Sequence, residues 1–280
     1  MDDDPVASSS SAHADNSRPV VLCDLDGVVW LAHQPIPGSV EAIAALRAAG
    51  HRVLFVTNNS SARVETQEAT LDSIGIPAAG DVLTSANAAA LLIEPGERVM
   101  VCGGDGVVQA VVDRGAVVVD AASGHVDAVI VGFHTTFDYQ EMLVASTAAR
   151  NGARLIGTND DATYPTPDGP IPGGGAILAS IVTAAGVVPV VAGKPHGPMA
   201  DLVRVTIGAA AAKSAVMVGD RPETDGLMAA TLQCRYAHVE SGITPPGTIV
   251  VPEPDIVAAD LADVAKVLLA EDMARGRLRA

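Results

Sequence analysis

Two aspartates one residue apart, Asp24 and Asp26, stand directly behind an apolar run in the stretch "VVLCDLDGVVW". Carboxylates at the end of a buried run are costly unless something pairs with them. The sequence supplies three further polar groups, each behind an apolar run of its own. They are Thr57-Asn58-Asn59 after "VLFV", Lys194 after "VVAG", and Asp220 with Asp225 in "VMVGDRPETD". Asp24, Asp220 and Asp225 are hard oxygen donors of the kind that Mg2+ takes. Thr57, Asn58, Asn59 and Lys194 bring hydrogen-bond donors and a positive charge suited to a phosphoryl group. A carboxylate that attacks phosphorus needs both, because metal and ammonium offset the repulsion between two anions. A second carboxyl two residues further on can protonate a leaving oxygen and later deprotonate water. Asp-Gly is also a good turn pair, and Ser60 or Ser61 after "TNN" suits a helix N-cap. The four groups in concert are hard to obtain from packing needs alone.

Such groups act together only if the chain delivers them to one place. Short apolar runs alternate with helical patterns. "VVLCD" precedes a helix expected over Ser39–Ala49, with Ser39 as N-cap and Gly50 at C′. "RVLFVT" precedes a helix near Ala62–Ile74, then "DVLTS". "VVPVVAGK" precedes a helix near Met199–Ile207, and "SAVMVGD" follows. Continuous apolar strands alternating with helices predict an α/β fold whose parallel sheet is covered on both faces. In such sheets ligands bind in the crevice outside the strand carboxyl ends, where all four polar groups would lie. Residues 86–186 repeat the rhythm with "RVMVC", "AVVVD", "DAVIVGF" and "ARLIGT". This reads as a second α/β module inserted into the first, leaving 18–85 and 187–280 as the outer domain. Residues 1–17, acidic and Ser-rich, read as a disordered tail without the basic and apolar regions of a signal peptide.

"DLDGVVW", "FVTNNSS", "AGKP" and "VGDRPETD", in this order, resemble the four motifs of the haloacid dehalogenase (HAD) superfamily. Within it, the chain is similar to subfamily IIA, the NagD-like and p-nitrophenyl-phosphatase-like phosphatases. The resemblance spans about residues 20–250. It implies a Rossmann-like parallel-sheet core with an inserted α/β cap of the C2 type. It also implies a Mg2+-dependent phosphatase for small phosphate monoesters, with Asp24 as nucleophile, passing through an aspartyl-phosphate. Asp26 would be general acid and then base, its backbone carbonyl joining Asp24, Asp220 and Asp225 around the metal. Thr57 and Lys194 would hold phosphoryl oxygens, with Asn58 and Asn59 assisting. "GTNDDATYPTPDGPIPGGGAILASI" resembles a cap segment that places Tyr164 where a substrate-facing residue is often found. Glycerol 3-phosphate or 2-phosphoglycolate is the favoured substrate size. Transfer to a sugar hydroxyl, or binding of a phosphometabolite without turnover, are the alternatives. The family often carries Asp where "GFHTTFDY" has His134, a departure that bears on the cap.

The 280 residues carry 17 basic and 33 acidic side chains, a formal charge of −16. This argues against nonspecific nucleic-acid or anionic-membrane binding and does not exclude a small anionic substrate; the resemblance implies a small phosphorylated metabolite as the partner, and a homodimer stays open. Cys23, Cys102 and Cys234 lie far apart without a CxxC. That suits a reducing, cytoplasmic setting and neither a disulfide framework nor a thiolate metal site. The seven histidines show no ligand spacing. "GGGAILASIVTAAGVVPVVAG", Gly173–Gly193, is uncharged and long enough for a membrane span. Gly186 and "VVPVV" make it read as a helix, turn and strand instead. "VCGGDGVVQA" lacks the full glycine fingerprint of a dinucleotide loop, and Asp105 would repel a phosphate; it reads as a tight turn.

Overall fold

The computed structural model describes residues 18–31, 34–120, 124–166, 169–245 and 247–277. The expected tail lies outside them. The chain opens with β1 (Val21–Cys23), a small hairpin of β2 (Trp30–Leu31) and β3 (Gln34–Pro35), α1 (Ser39–Ala48), β4 (Val53–Thr57), α2 (Val64–Ser73), β5 (Val82–Thr84) and α3 (Ser85–Ala90). A second run follows: β6 (Arg98–Cys102), α4 (Asp105–Asp113), β7 (Val117–Val119), β8 (Ala128–Val131), α5 (Tyr139–Arg150) and β9 (Arg154–Gly157). The short pair β10 (Thr163–Tyr164) and β11 (Ile171–Pro172), α6 (Gly174–Ala185) and β12 (Val190–Val191) complete it. The return comprises α7 (Gly197–Ile207), α8 (Ala209–Lys213), β13 (Val216–Gly219), a π-turn over Pro222–Gly226, α9 (Leu227–Leu232), β14 (Arg235–Val239), β15 (Ile256–Ala258) and α10 (Leu261–Arg277).

Two parallel sheets result. The larger runs β15-β14-β13-β1-β4-β5 and the other β12-β9-β8-β6-β7. In the larger sheet successive residues serve opposite faces, as the pleat demands. Leu22, Leu54 and Met217 join Ala88, Met199 and Val203 on one side. Val21, Cys23, Phe55 and Val218 join Ile43, Leu46, Val264 and Leu268 on the other. Both faces are dry, which is why the strands read as unbroken apolar runs. Cys23 is a packed thiol, buried and pushed up in pKa by that burial and by Asp24. The second sheet buries one face under α5 and α6 through Val129, Val131, Ala145 and Ile181. Its other face shares a core with α3 and the larger sheet through Val99, Ile130 and Ile156.

Three local expectations change. Helix α1 starts at Ser39, and Gly38, at φ 84°, is its N-cap. The Ser39 hydroxyl donates instead to the Val29 carbonyl, tying the helix to the hairpin. The insert does not close at Gly186, because Val190 and Val191 pair with Ile156 and Gly157 in the second sheet. Such a brief strand carries no mark of which sheet it joins. Finally, the glycines of "VCGGDG" serve close approach rather than a turn. A Cβ on Gly104 or Gly106 would collide with the Ser61 or Ala62 backbone, and Gly106 N–H donates to the Ser61 carbonyl at 3.1 Å. The stretch Gly173–Gly193 is the expected helix, αL glycine (Gly186, φ 68°) and strand. Among the described residues no helix is long and apolar enough to cross a membrane.

Candidate active site

The carboxyl ends of β1, β4 and β13 bring the singled-out residues to one crevice. Asp24 continues the β1 ladder, its N–H donating to Val218 O, so its side chain is aimed by the sheet itself. Lys194 lies just after β12, a strand of the other sheet, yet its ammonium donates to Asp24 Oδ1 at 2.6 Å and to Asp225 Oδ1 at 2.8 Å. All three side chains are buried. Burial opposes the lysine's charge, but Asp225 and Asp24 outweigh it and hold the group protonated, above its ordinary range.

Asp24, Asp220 and Asp225 each point one carboxylate oxygen into a space where these atoms lie within 4.8 Å of one another. One ammonium does not balance three carboxylates. Burial and the Asp24 charge push Asp220 up to about 6, with the Ile243 N–H acting against the rise. Burial pushes Asp225 up to about 8, Lys194 opposing and Asp24 and Asp220 adding to it. Asp220 Oδ2 accepts from Ile243 N at 2.8 Å, whereas Asp220 Oδ1 is buried and accepts no hydrogen bond. An orphaned carboxylate oxygen beside two others is costly, and a hard divalent cation would satisfy all three. The backbone is shaped around this cluster: Gly27 sits at φ 86°, and a Cβ there would lie 2.7 Å from the Asp220 carboxylate.

Asp26 lies half-buried beside Asp24 and accepts from the Trp30 indole at 3.1 Å. Desolvation, then the Asp24 charge, push it up to about 6 against the Trp30 hydrogen bond. A carboxyl tuned to that range can both give and take a proton near neutral pH.

The "TNN" residues divide their work. Thr57 is buried at the end of β4, and its hydroxyl oxygen accepts from Asn59 N at 3.0 Å. Asn58 corrects the expectation of a phosphate donor. Its Oδ1 accepts from Lys194 N at 2.7 Å, and its Nδ2 donates to Lys194 O and to Asp161 Oδ2. Both amide protons are taken, so this side chain positions the lysine segment. A Cβ on Gly193 would fall 2.5 Å from Asn58 Oδ1, which keeps that approach open only to glycine. Asn59 Oδ1 accepts from Ser61 N and Oγ, and its Nδ2 reaches Tyr164 OH at 3.4 Å.

Tyr164 stacks on Phe133 with centroids 4.8 Å apart and planes 16° apart. Desolvation and Asp26 push its phenol up to about 12. It lines a crevice together with Asp24, Asp26, Thr57 and Lys194.

Asp161, Asn159 and Arg221 also face this space. Arg221 is part of "VGDRPETD" and Asp161 of "NDDATY", so the signal for both was present as charge inside motifs already quoted. His196 does not reach the crevice lining. It pairs with Asp160 at 2.9 Å across a partly exposed contact, and that hydrogen bond raises its pKa.

This geometry has relatives. A haloacid dehalogenase-like hydrolase model matches residues 21–116, and a second HAD-like hydrolase model matches 191–264. The acid sugar phosphatase of Staphylococcus saprophyticus is 35% identical over 227 residues, 80% of this chain and 86% of the relative. The chain belongs to the haloacid dehalogenase-like hydrolases. The D-glycerol 3-phosphate phosphatase of Mycobacterium tuberculosis is 37% identical over 73% of this chain, which spans only 58% of that relative. Among solved structures, the p-nitrophenyl phosphatase from Archaeoglobus fulgidus superposes with a TM-score of 0.82 at 27% identity, covering 90% of this chain and 99% of the other. A glycerol phosphate phosphatase from Mycobacterium tuberculosis in complex with magnesium gives 0.79 at 32% identity, covering 89% and 77%. These place the chain in the NagD and p-nitrophenylphosphatase branch of its family, and both family matches include strand-end residues of the crevice.

Proposed function

We propose that this chain is a Mg2+-dependent phosphatase that cleaves small organic phosphate monoesters through an aspartyl-phosphate on Asp24. The observation that carries this is the ion triplet Asp24–Lys194–Asp225 beside the orphaned Asp220 oxygen. It joins a positioned carboxylate, a buried cation and a hard-metal donor set at one point. Asp24, Asp220 and Asp225 would hold Mg2+, which when bound supplies charge neutralisation between nucleophile and phosphoryl group. Asp24 attacks phosphorus as the bond to the leaving oxygen breaks, and Asp26 donates its proton to that oxygen. Asp26 then takes a proton from water. The water oxygen attacks the same phosphorus, frees inorganic phosphate and restores the Asp24 carboxylate. Thr57 and Lys194 hold the phosphoryl oxygens, and the inserted module acts as a cap over the crevice.

Glycerol- or glycolate-sized esters are the favoured substrates, supported by the similarity to a glycerol 3-phosphate phosphatase. The test is a phosphate-release screen over phosphorylated three-carbon, two-carbon, sugar and nucleoside esters, with Mg2+ and with excess chelator. Release of phosphate from a small ester with Mg2+, and none with chelator, is expected. Binding without release would convert the protein into a phosphometabolite sensor.

The core groups touch only what all these esters share, so choice among them falls to the cap. Tyr164→Ala is expected to change kcat/KM unequally across the panel, by about tenfold or ~1.4 kcal/mol for at least one pair of substrates. p-Nitrophenyl phosphate, with its good leaving group, should be among the less affected. A uniform fall together with a lower Tm would leave Tyr164 as the stacking partner of Phe133 alone.

A further inference from the structure

Next to Phe133 in the chain, the carboxyl edge of the second sheet gathers a thiol, an imidazole and a carboxylate. Cys102 ends β6 and is fully buried, His134 follows β8, and Glu141 stands in the first turn of α5. His134 Nε2 lies 3.9 Å from Cys102 Sγ and 3.5 Å from Glu141 Oε1. One ring nitrogen carries either a single proton or a single lone pair, so Nε2 serves one neighbour at a time, and the Cys102 thiol is itself within hydrogen-bonding reach of Glu141. Each separation is also at or beyond the limit of a good hydrogen bond.

The same distances suit a shared ion. Tetrahedral zinc, with Zn–S of about 2.3 Å and Zn–N and Zn–O of about 2.0–2.2 Å, sets sulfur and nitrogen roughly 3.6 Å apart and nitrogen and oxygen roughly 3.4 Å apart. The three donor atoms all lie within 4.8 Å of one another. The other ring nitrogen, His134 Nδ1, is 3.1 Å from Thr136 Oγ1. Donating there leaves Nε2 as the lone-pair atom, as outer partners of metal-bound histidines do. The His134 and Glu141 side chains are 10% and 25% exposed, which gives an ion its way in. Burial, then the Glu141 charge and a hydrogen bond to Glu141, raise the Cys102 pKa, and an ion binding here would displace the thiol proton.

We infer that Cys102, His134 and Glu141 form a second metal site, selective for Zn2+ or a similarly thiophilic divalent ion, with its fourth position open to water. Its donors contrast with the all-oxygen set at Asp24, Asp220 and Asp225, so the two sites sort ions by softness. Because His134 adjoins Phe133, an ion here would pin the loop against which Tyr164 stacks.

The test uses the full chain, stripped of metal and titrated with Co2+ in excess Mg2+. Thiolate ligation gives near-ultraviolet charge-transfer absorption that carboxylates cannot produce. One equivalent of Co2+ is expected to saturate this band. Cys102→Ser should abolish it while Cys23 and Cys234 remain, and His134→Ala should weaken Zn2+ binding at least a hundredfold in competition. Zn2+ should raise the Tm of the parent chain and leave that of His134→Ala unmoved. Should Cys102→Ser fail to fold, Glu141→Gln and His134→Ala, altered at partly exposed positions, decide the matter through affinity. No charge-transfer band in the parent chain, or Co2+ binding equally tight in His134→Ala, would overturn the site and leave the phosphatase reading untouched.

Discussion

Asp24→Asn is expected to lower kcat at least a thousandfold, about 4 kcal/mol in barrier height, without lowering Tm in the absence of Mg2+. The amide nearly matches the carboxylate in shape, so the β1 ladder and the Lys194 contact through Asp225 survive. What is lost is the nucleophile. Stability should hold because Asp24 is one of three carboxylates whose donor atoms lie within 4.8 Å of one another. Its charge is among the causes that push both Asp220 and Asp225 upward. Acid quenching during turnover should leave labelled phosphate on the parent chain and none on the variant. Retention of a tenth of the parent kcat would remove Asp24 from the role.

Lys194→Met should act in the opposite sense on stability. The lysine is 1% exposed and bridges two buried carboxylates, so its removal leaves charges stranded in the interior. Breaking a buried pair in this way typically costs about 3–5 kcal/mol. Urea denaturation without metal should show that loss. Saturating Mg2+ should return part of it, since a cation that binds only the folded chain stabilises it by mass action. Turnover with Mg2+ should still fall by about a hundredfold or more, because the charge facing the phosphoryl group is gone. A metal-free variant as stable as its parent would show that the carboxylates had already neutralised themselves by taking up protons.

Much of this is legible in the sequence. Asp24, Thr57 and Asp220 follow unbroken apolar runs, and an apolar run ending in a polar residue marks a strand's carboxyl end, where parallel sheets hold their ligands. What stayed hidden has physical reasons. Asn58 was legible as a polar group at the right place, but its saturation by Lys194 and Asp161 depends on residues more than a hundred positions away. Val190–Val191 paired with the unexpected sheet because its two residues are equally suited to either. Ser39 looked like a cap by type, and the tight Gly38 turn took that place. Cys102, His134 and Glu141 come from a strand end, a loop and a helix start. No periodicity joins them, and only the fold places the three side by side.

The placement of Lys194 bears on how this protein can be rebuilt. The residue that balances the nucleophile's charge is joined by a few peptide units to the last strand of the inserted module, and Asn58 grips that joint from both sides. A chimera that imports another module to change substrate range must therefore choose its downstream seam with care. A seam cut between α6 and β12 divides the second sheet. One cut after Val191 but before Gly193 leaves the donor strand's exit direction to dictate where the ammonium lands. Only a graft that retains the native run from Gly193 through Pro195, with Asn58 as its clasp, hands a new specificity to an undisturbed charge balance.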